Sequence, residues 1–426
     1  MTPSIRILHV IPSLAPRDGG PTRACIELCR ELVRNGASVA IYTTNADGDG
    51  ELDAPLAVPV RVEGVEVRYF PVRWPRNYRY SPELARALRA SIPAVDIVHI
   101  HSLYSFTTQI AARYCRLYGV PYLLRTHGTL DPYLRRRHRL RKWCYERLFD
   151  ARNLNRAAAI HFTTDEELRL CSGPRLTAPA AVVPLGVELA DYAGDSTDAF
   201  YARWPRLRGR RIVLFLGRIN FKKGLDLVAD AFIRTAAERG DAHLVIAGPD
   251  NDGYRAAIAR RLAAGGAIDR ATFTGMLEGA EKLAALRAAS VFVLASYTEN
   301  FGLAVVEAMA ARVPLVISDR VNICREVAAA GAGIVVPCDA SGVAGAIEQV
   351  LEDPVRAREM GARGRRLVAA KYTWDSVARQ MLAVYAEILT AHDRKPREAQ
   401  DHPPRKTAAS AKFVQASPGA AIGRSL

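Results

Sequence analysis

At 426 residues the chain is too long for one ordinary core, so two domains with trimmings are expected. Its 49% hydrophobic and 24% charged residues suit a soluble globular protein, and no apolar run reaches the roughly 18–20 residues that span a bilayer. A net charge of +15 asks for an anionic partner, yet no helix-turn-helix, zinc-finger or RNA-binding aromatic motif accompanies it, which sets nucleic acid aside.

Strands and helices are predicted to alternate, the pattern of parallel sheets covered on both faces. Ile5–Ile11 reads as a first strand rather than a signal peptide, being short, broken by Arg6 and His9, and without a small-residue cleavage site. A Gly19-Gly20-Pro21 loop then opens a helix from about Thr22 to Arg34. Strand Ser38–Thr43, a β excursion around Val58–Pro71, helix Pro82–Ala90, strand Ile97–His101, helix Phe106–Leu117 and strand Tyr122–Arg125 follow. Ala157–Thr163 and Ala181–Val183 read as the last strands of this half. Periodicity fades over residues 191–209, the expected linker between a domain at 1–190 and a second at 210–372. The second unit has strands Arg211–Gly217, His243–Ala247, Ala271–Thr274, Val291–Ala295, Pro314–Ile317 and Gly333–Val336. A closing helix is expected over 373–392, and 393–426 is a basic tail with too few large apolar residues to fold.

The seven cysteines are odd in number and show no C-x-x-C spacing, which argues for reduced thiols and a cytoplasmic protein. Cys25 and Cys29 lie one helical turn apart, a spacing too sparse to expect a metal site.

Chemistry concentrates around Glu299-Asn300-Phe301-Gly302-Leu303-Ala304-Val305-Val306-Glu307. One carboxylate ends a strand and the other lies about a turn and a half into a helix. The backbone N–H groups of Phe301, Gly302 and Leu303 lie between them. A helix N-terminus attracts phosphate, and carboxylates accept hydrogen bonds from sugar hydroxyls, so the pair suits a nucleotide sugar. Upstream, Gly217-Arg218-Ile219-Asn220-Phe221-Lys222-Lys223-Gly224 also joins a strand end to a helix start. It lacks the order of a P-loop, but Arg218 and Lys223 can converge on a diphosphate there.

Arg218 and Lys223 followed by Glu299 and Glu307 resemble the retaining glycosyltransferases of family 4, which adopt the GT-B fold. Gly19-Gly20-Pro21, Val98-His99-Ile100-His101, Thr126-His127-Gly128-Thr129-Leu130-Asp131-Pro132, Val183-Pro184-Leu185-Gly186-Val187 and Val321–Gly333 fit in order and spacing, over about residues 5–390. Leu185 departs from the pattern, since relatives often carry Asn there. The resemblance implies an α/β protein of two Rossmann-like doubly wound domains facing a cleft, with the C-terminal helix crossing back. It implies that Arg218 and Lys223 neutralise the donor diphosphate in place of a divalent metal, and that no cofactor is needed. Glu307 would take the ribose, Glu299 and His127 the transferred sugar, and Gly20 would approach the phosphates or the acceptor across the cleft. Gly19, His101, Arg125 and Asp131 are the weaker candidates on the acceptor side. His99 and His101 are expected to point to opposite faces of their strand, with His101 lining the cleft.

The segment from Arg135 to Arg147 interleaves basic residues with Leu140, Trp143 and Tyr145, and Leu148 and Phe149 follow it. It reads as a solvated helix with a core-facing apolar stripe, or as a face that docks on an anionic membrane. The expected function is hexosyl transfer, with retention, from a nucleotide sugar to a polysaccharide or lipid-linked glycan. The protein is expected in the cytoplasm, free or peripheral on the inner face of the plasma membrane. A nucleotide-sugar 2-epimerase and a non-catalytic nucleotide-sugar-binding protein on the same fold are the alternatives.

Overall fold

The computed structural model describes residues 4–135, 139–171, 176–250 and 253–393, with backbone alone at 18, 134, 135 and 139–141. The tail after Asp393, and Arg136, Arg137 and His138 of the basic segment, lie outside the described residues.

The first sheet holds β1 (Arg6–Ser13), β2 (Ser38–Thr44), β3 (Pro59–Val62), β4 (Val65–Phe70), β5 (Ile97–His101), β6 (Tyr122–Arg125), β7 (Ala159–Phe162) and β8 (Ala180–Val182). Their order is β8-β7-β6-β5-β1-β2-β4-β3, parallel except for the β3–β4 hairpin. The second sheet holds β9 (Arg211–Leu216), β10 (Ala242–Ala247), β11 (Ala271–Gly275), β12 (Ala289–Leu294), β13 (Leu315–Ser318) and β14 (Gly333–Val336). It runs β11-β10-β9-β12-β13-β14 and is parallel throughout. Central strands of both sheets are buried along nearly their whole length, because helices cover both faces.

Strand order reverses between β1 and β5 in the first sheet and between β9 and β12 in the second. Loops leaving the carboxyl ends of strands at such a switch point splay apart and form a crevice. In the first sheet these are the loops after β1 and β5, with the loop after β6 beside them. In the second they are the loops after β9 and β12, which hold the Arg218–Lys223 and Glu299–Gly302 segments. The order of elements thus places the chemistry-bearing motifs at strand ends.

The segment expected as a linker is more structured than its faded periodicity implied. A short helix, Asp198–Arg203, buries Phe200 and stacks it near Trp204, with ring centroids 5.1 Å apart. The C-terminal helix, Trp374–Asp393, crosses back onto the first domain as expected and packs against α1 (Gly20–Arg34). Trp374 Nε1 donates to Glu27 at 2.6 Å, and Tyr385 is fully buried among first-domain residues. One apolar core therefore runs from the α1 face of the first sheet through the closing helix into the second domain. A second core fills the other face of the first sheet.

Candidate active site in the interdomain cleft

The second-domain wall begins with Lys223. Its backbone N–H bonds back to Asn220, and the chain then turns through Gly224 in the left-handed region, φ +62°. A Cβ at Gly224 would overlap the Ala295 carbonyl, so only glycine lets this turn pass under the end of β12. The Lys223 side chain reaches across to form an ion pair with Glu299. Arg218, on the same loop, is exposed.

Glu299 is held by backbone pairing. Its N–H donates to Arg320 at 3.1 Å and its carbonyl accepts from Asn322 at 3.1 Å. Gly302 then adopts φ +84° and starts α5 (Leu303–Ala310), taking α2 as Arg139–Tyr145, α3 as Leu225–Glu238 and α4 as Gly279–Ala288. The N–H groups of Phe301 and Leu303 thus stand at a helix start, where intrahelical acceptors are missing. Phe301 itself is buried edge-on to Tyr372, ring centroids 5.8 Å apart. Glu307 points from α5 to Lys282 of α4, 2.9 Å away. Tyr192 lies beside it, its phenol pushed up by burial and then by the Glu307 carboxylate. Lys282 and Tyr192 carried no motif and were missed in the sequence.

Across the cleft, His127 and Gly128 occupy a turn with φ +51° and +72°. Glu167 holds this turn from below. Its buried carboxylate accepts from Gly128 N at 2.9 Å, Thr126 Oγ1 at 3.3 Å, Thr163 N at 2.7 Å and Thr163 Oγ1 at 2.8 Å. The Thr164-Asp165-Glu166-Glu167 spacing is that of a helix capping box, the one signal that could have found it. Side chains bridge the two walls directly: Thr298 to Asp131 at 3.3 Å, Asn300 to Thr163 at 3.3 Å, and Arg325 to Glu166 at 3.9 Å. Asp131 is therefore a cleft residue. Gly19 and Gly20 sit at the open start of α1, with nothing within 4 Å of where a Cβ would stand.

Three expectations for the first domain need correction. His99 and His101 share one face, with stacked rings 4.6 Å apart, because residues two apart in a strand point the same way. His101 does not line the cleft. It is fully buried behind His127, with Nδ1 3.2 Å from His127 Nε2. Arg125 is only 2% exposed, buried at the end of β6 rather than lying open to the cleft. Its register partners are His101 on β5 and His161 on β7. Burial is the main cause holding the His99, His101, His127 and His161 rings below the usual imidazole range, and the nearby Arg125 charge adds to it. The sequence also missed that His9 joins Cys25 and Cys29, whose ligand-capable atoms lie within 4.8 Å of one another. That cluster is buried under α1, away from the cleft, and both His9 nitrogens already face other polar groups.

In the basic segment the apolar stripe does not face the core. Trp143 is 53%, Phe149 46% and Leu148 70% exposed, while Tyr145 packs inward on Tyr78 and Tyr104. Among the described residues no helix is long and apolar enough to cross a membrane.

A two-domain cleft with cations and carboxylates at a switch point defines the GT-B class of sugar-transferring folds. Residues 19–186 match the glycosyl transferase 4-like domain, and residues 198–367 match the glycosyl transferases group 1. The chain belongs to the group 1 glycosyltransferases and is a glycosyltransferase enzyme. It is 25% identical over 389 residues to a GDP-mannose:cellobiosyl-diphosphopolyprenol alpha-mannosyltransferase from Xanthomonas campestris, covering 90% of this chain and 97% of the other. It is 32% identical over 219 residues to a phosphatidyl-myo-inositol mannosyltransferase from Mycobacterium leprae, covering 51% and 56%. In fold it is similar to sucrose-phosphate synthase from Thermosynechococcus elongatus, with TM-score 0.75 and 22% identity over 91% of this chain and 100% of that one.

Proposed function

We propose that the enzyme moves a hexose, with retention of anomeric configuration, from a nucleoside-diphosphate sugar to a lipid-linked glycan at an anionic membrane surface. The carrying observation is the meeting of Lys223 with Glu299 at the switch point of the second sheet, with Glu307 one helix face away. Arg218 and Lys223 would neutralise the diphosphate and the charge that grows on it as the anomeric carbon–oxygen bond breaks. The reading therefore calls for no divalent metal and no cofactor. Glu307 would take the ribose hydroxyls and Glu299 those of the sugar. His127, Gly20 and Asp131 would close the acceptor side. As the acceptor oxygen bonds to the anomeric carbon on the face the phosphate leaves, its proton passes to a departing phosphate oxygen.

The Xanthomonas relative, matched over nearly its whole length, acts by its name on a diphosphopolyprenol-linked glycan, which supports a lipid-linked acceptor. Exposed Trp143, Leu148 and Phe149 with exposed Arg147 among them supply apolar wedges and a cation for binding anionic lipid, and the sequence adds Arg135, Arg136, Arg137, Arg139 and Arg141 just before them.

Incubating the protein with candidate nucleotide sugars and a lipid-linked glycan tests the reading. Glycan extension or slow donor hydrolysis supports it. Formation of a C2 epimer points to an epimerase, and binding without turnover to a non-catalytic nucleotide-sugar-binding protein.

A further inference from the structure

Behind His127 runs an unbroken line of polar contacts that ends on a backbone carbonyl. His161 Nε2 lies 2.8 Å from Val183 O, and His161 Nδ1 lies 3.3 Å from His99 Nε2. His99 Nδ1 lies 2.7 Å from the Tyr385 hydroxyl, which lies 3.5 Å from His9 Nε2. His9 Nδ1 lies 3.0 Å from His101 Nε2, and His101 Nδ1 lies 3.2 Å from His127 Nε2. His9, His99, His101 and His161 are buried and Tyr385 is wholly so.

A neutral imidazole has one N–H and one lone pair, and a carbonyl oxygen only accepts. The Val183 carbonyl therefore sets the direction of the whole line. His161 must carry its proton on Nε2, which leaves Nδ1 to accept from His99 Nε2–H. His99 Nδ1 is then a lone pair and takes the single Tyr385 proton. The phenol oxygen, its proton committed, accepts from His9 Nε2–H. His9 Nδ1 accepts from His101 Nε2–H, and His101 Nδ1 accepts from His127 Nε2–H. Any reversal would set two lone pairs or two protons face to face in a buried site, where each unpaired group costs free energy. Burial first, and the Arg125 charge with it, favours the neutral form of the His99, His101, His127 and His161 rings.

We propose that this line fixes His127 as the Nε2–H tautomer, so that its Nδ1 meets the cleft as a hydrogen-bond acceptor for one donor-sugar hydroxyl. Tyr385, His9, His99, His101 and His161 are then positioning residues. The closing helix, through Tyr385, thus sets which nitrogen a cleft residue presents. The sugar contact rests on the role given to His127 above; the tautomer does not.

The test is a long-range nitrogen–proton NMR spectrum of the ligand-free, full-length protein with 15N-labelled histidine, His127 being assigned by its loss in His127→Gln. His127 should show a protonated Nε2 and a bare Nδ1. In Tyr385→Phe the His9–His101–His127 part loses its anchor. It should then turn over, since Nδ1–H of His127 can reach water in the cleft while His9 Nε2–H would face a phenyl ring. Loss of one hydrogen bond to the sugar should also lower kcat/KM for the donor about tenfold with nucleoside diphosphate affinity little changed. A protonated Nδ1 on His127 in the unmutated protein overturns the proposal without need of any variant. So does an unchanged His127 tautomer in folded Tyr385→Phe. A confirmed tautomer with no discrimination among deoxy-sugar donors would instead remove the sugar role of His127.

Discussion

Lys223 and Glu299, which lie 76 positions apart, meet as an ion pair between the two loops that flank the second sheet's switch point. A buried or half-buried cation already paired with a carboxylate is poised for a ligand carrying both phosphate and hydroxyls, each of which can replace one partner. Lys223→Ala and Glu307→Ala should each lower turnover at least about 100-fold, the scale of losing one charge-stabilising group. Steady-state kinetics with a saturating acceptor check this, and near-normal rates in both variants would remove these residues from the site.

Glu167 is the sole carboxylate under the His127 turn among the described residues to which four donors converge. Glu167→Ala leaves the Gly128 and Thr163 amides unpaired in a buried site, at about 1–3 kcal/mol each. Urea denaturation should show a loss of at least about 2 kcal/mol. A loss under about 0.5 kcal/mol would mean that water or another group satisfies them.

Gly224→Ala should destabilise the protein by about 3 kcal/mol or more, because φ +62° and the overlap with the Ala295 carbonyl act together. Thermal melting reads this directly. A melt like that of the unmutated protein would show that the turn relaxes.

Acid should unfold the first domain early. His99, His101, His127 and His161 have folded values depressed below 6.5, the value they regain on unfolding. The unfolded chain thus binds more protons below that pH, and the stability these rings contribute is present above pH 6.5 and lost as pH falls. Melting temperature should drop steeply from pH 6.5 downward, with more than one proton taken up per molecule unfolded. A flat profile from pH 7 to 5 would contradict the buried neutral cluster.

Replacing Arg135, Arg136, Arg137 and Arg139 by neutral residues should weaken association with anionic liposomes while sparing hydrolysis of a soluble donor. Unchanged cosedimentation with such vesicles would remove the membrane surface from the account.

Much of this was legible because strand ends are punctuated. Gly217 marks where an apolar strand run stops, Gly224 and Gly302 mark where the following helices start, and the charged residues of the loops ending at Gly224 and Gly302 had to fall in the crevice. The His99–His101 face was misread although strand periodicity decides it, and the buried cluster was therefore invisible. His9, His161 and Tyr385 reach that cluster from β1, β7 and the closing helix, and no local pattern joins residues so far apart. Lys282 was missed for the same reason, since an exposed-looking lysine on a helix carries no sign of the carboxylate it will meet on the next one. The segment holding Trp143, Leu148 and Phe149 was read as amphipathic, but apolar residues interleaved with basic ones do not say what those apolar residues meet.

The most direct measurement is release of nucleoside diphosphate and extension of a lipid-linked glycan, followed across a panel of nucleotide hexoses for the unmutated enzyme and Lys223→Ala. The account predicts that at least one donor is consumed with stoichiometric glycan product, and that Lys223→Ala is at least about 100-fold slower on it. Equal rates for the two proteins, or no donor consumed at all, would contradict it.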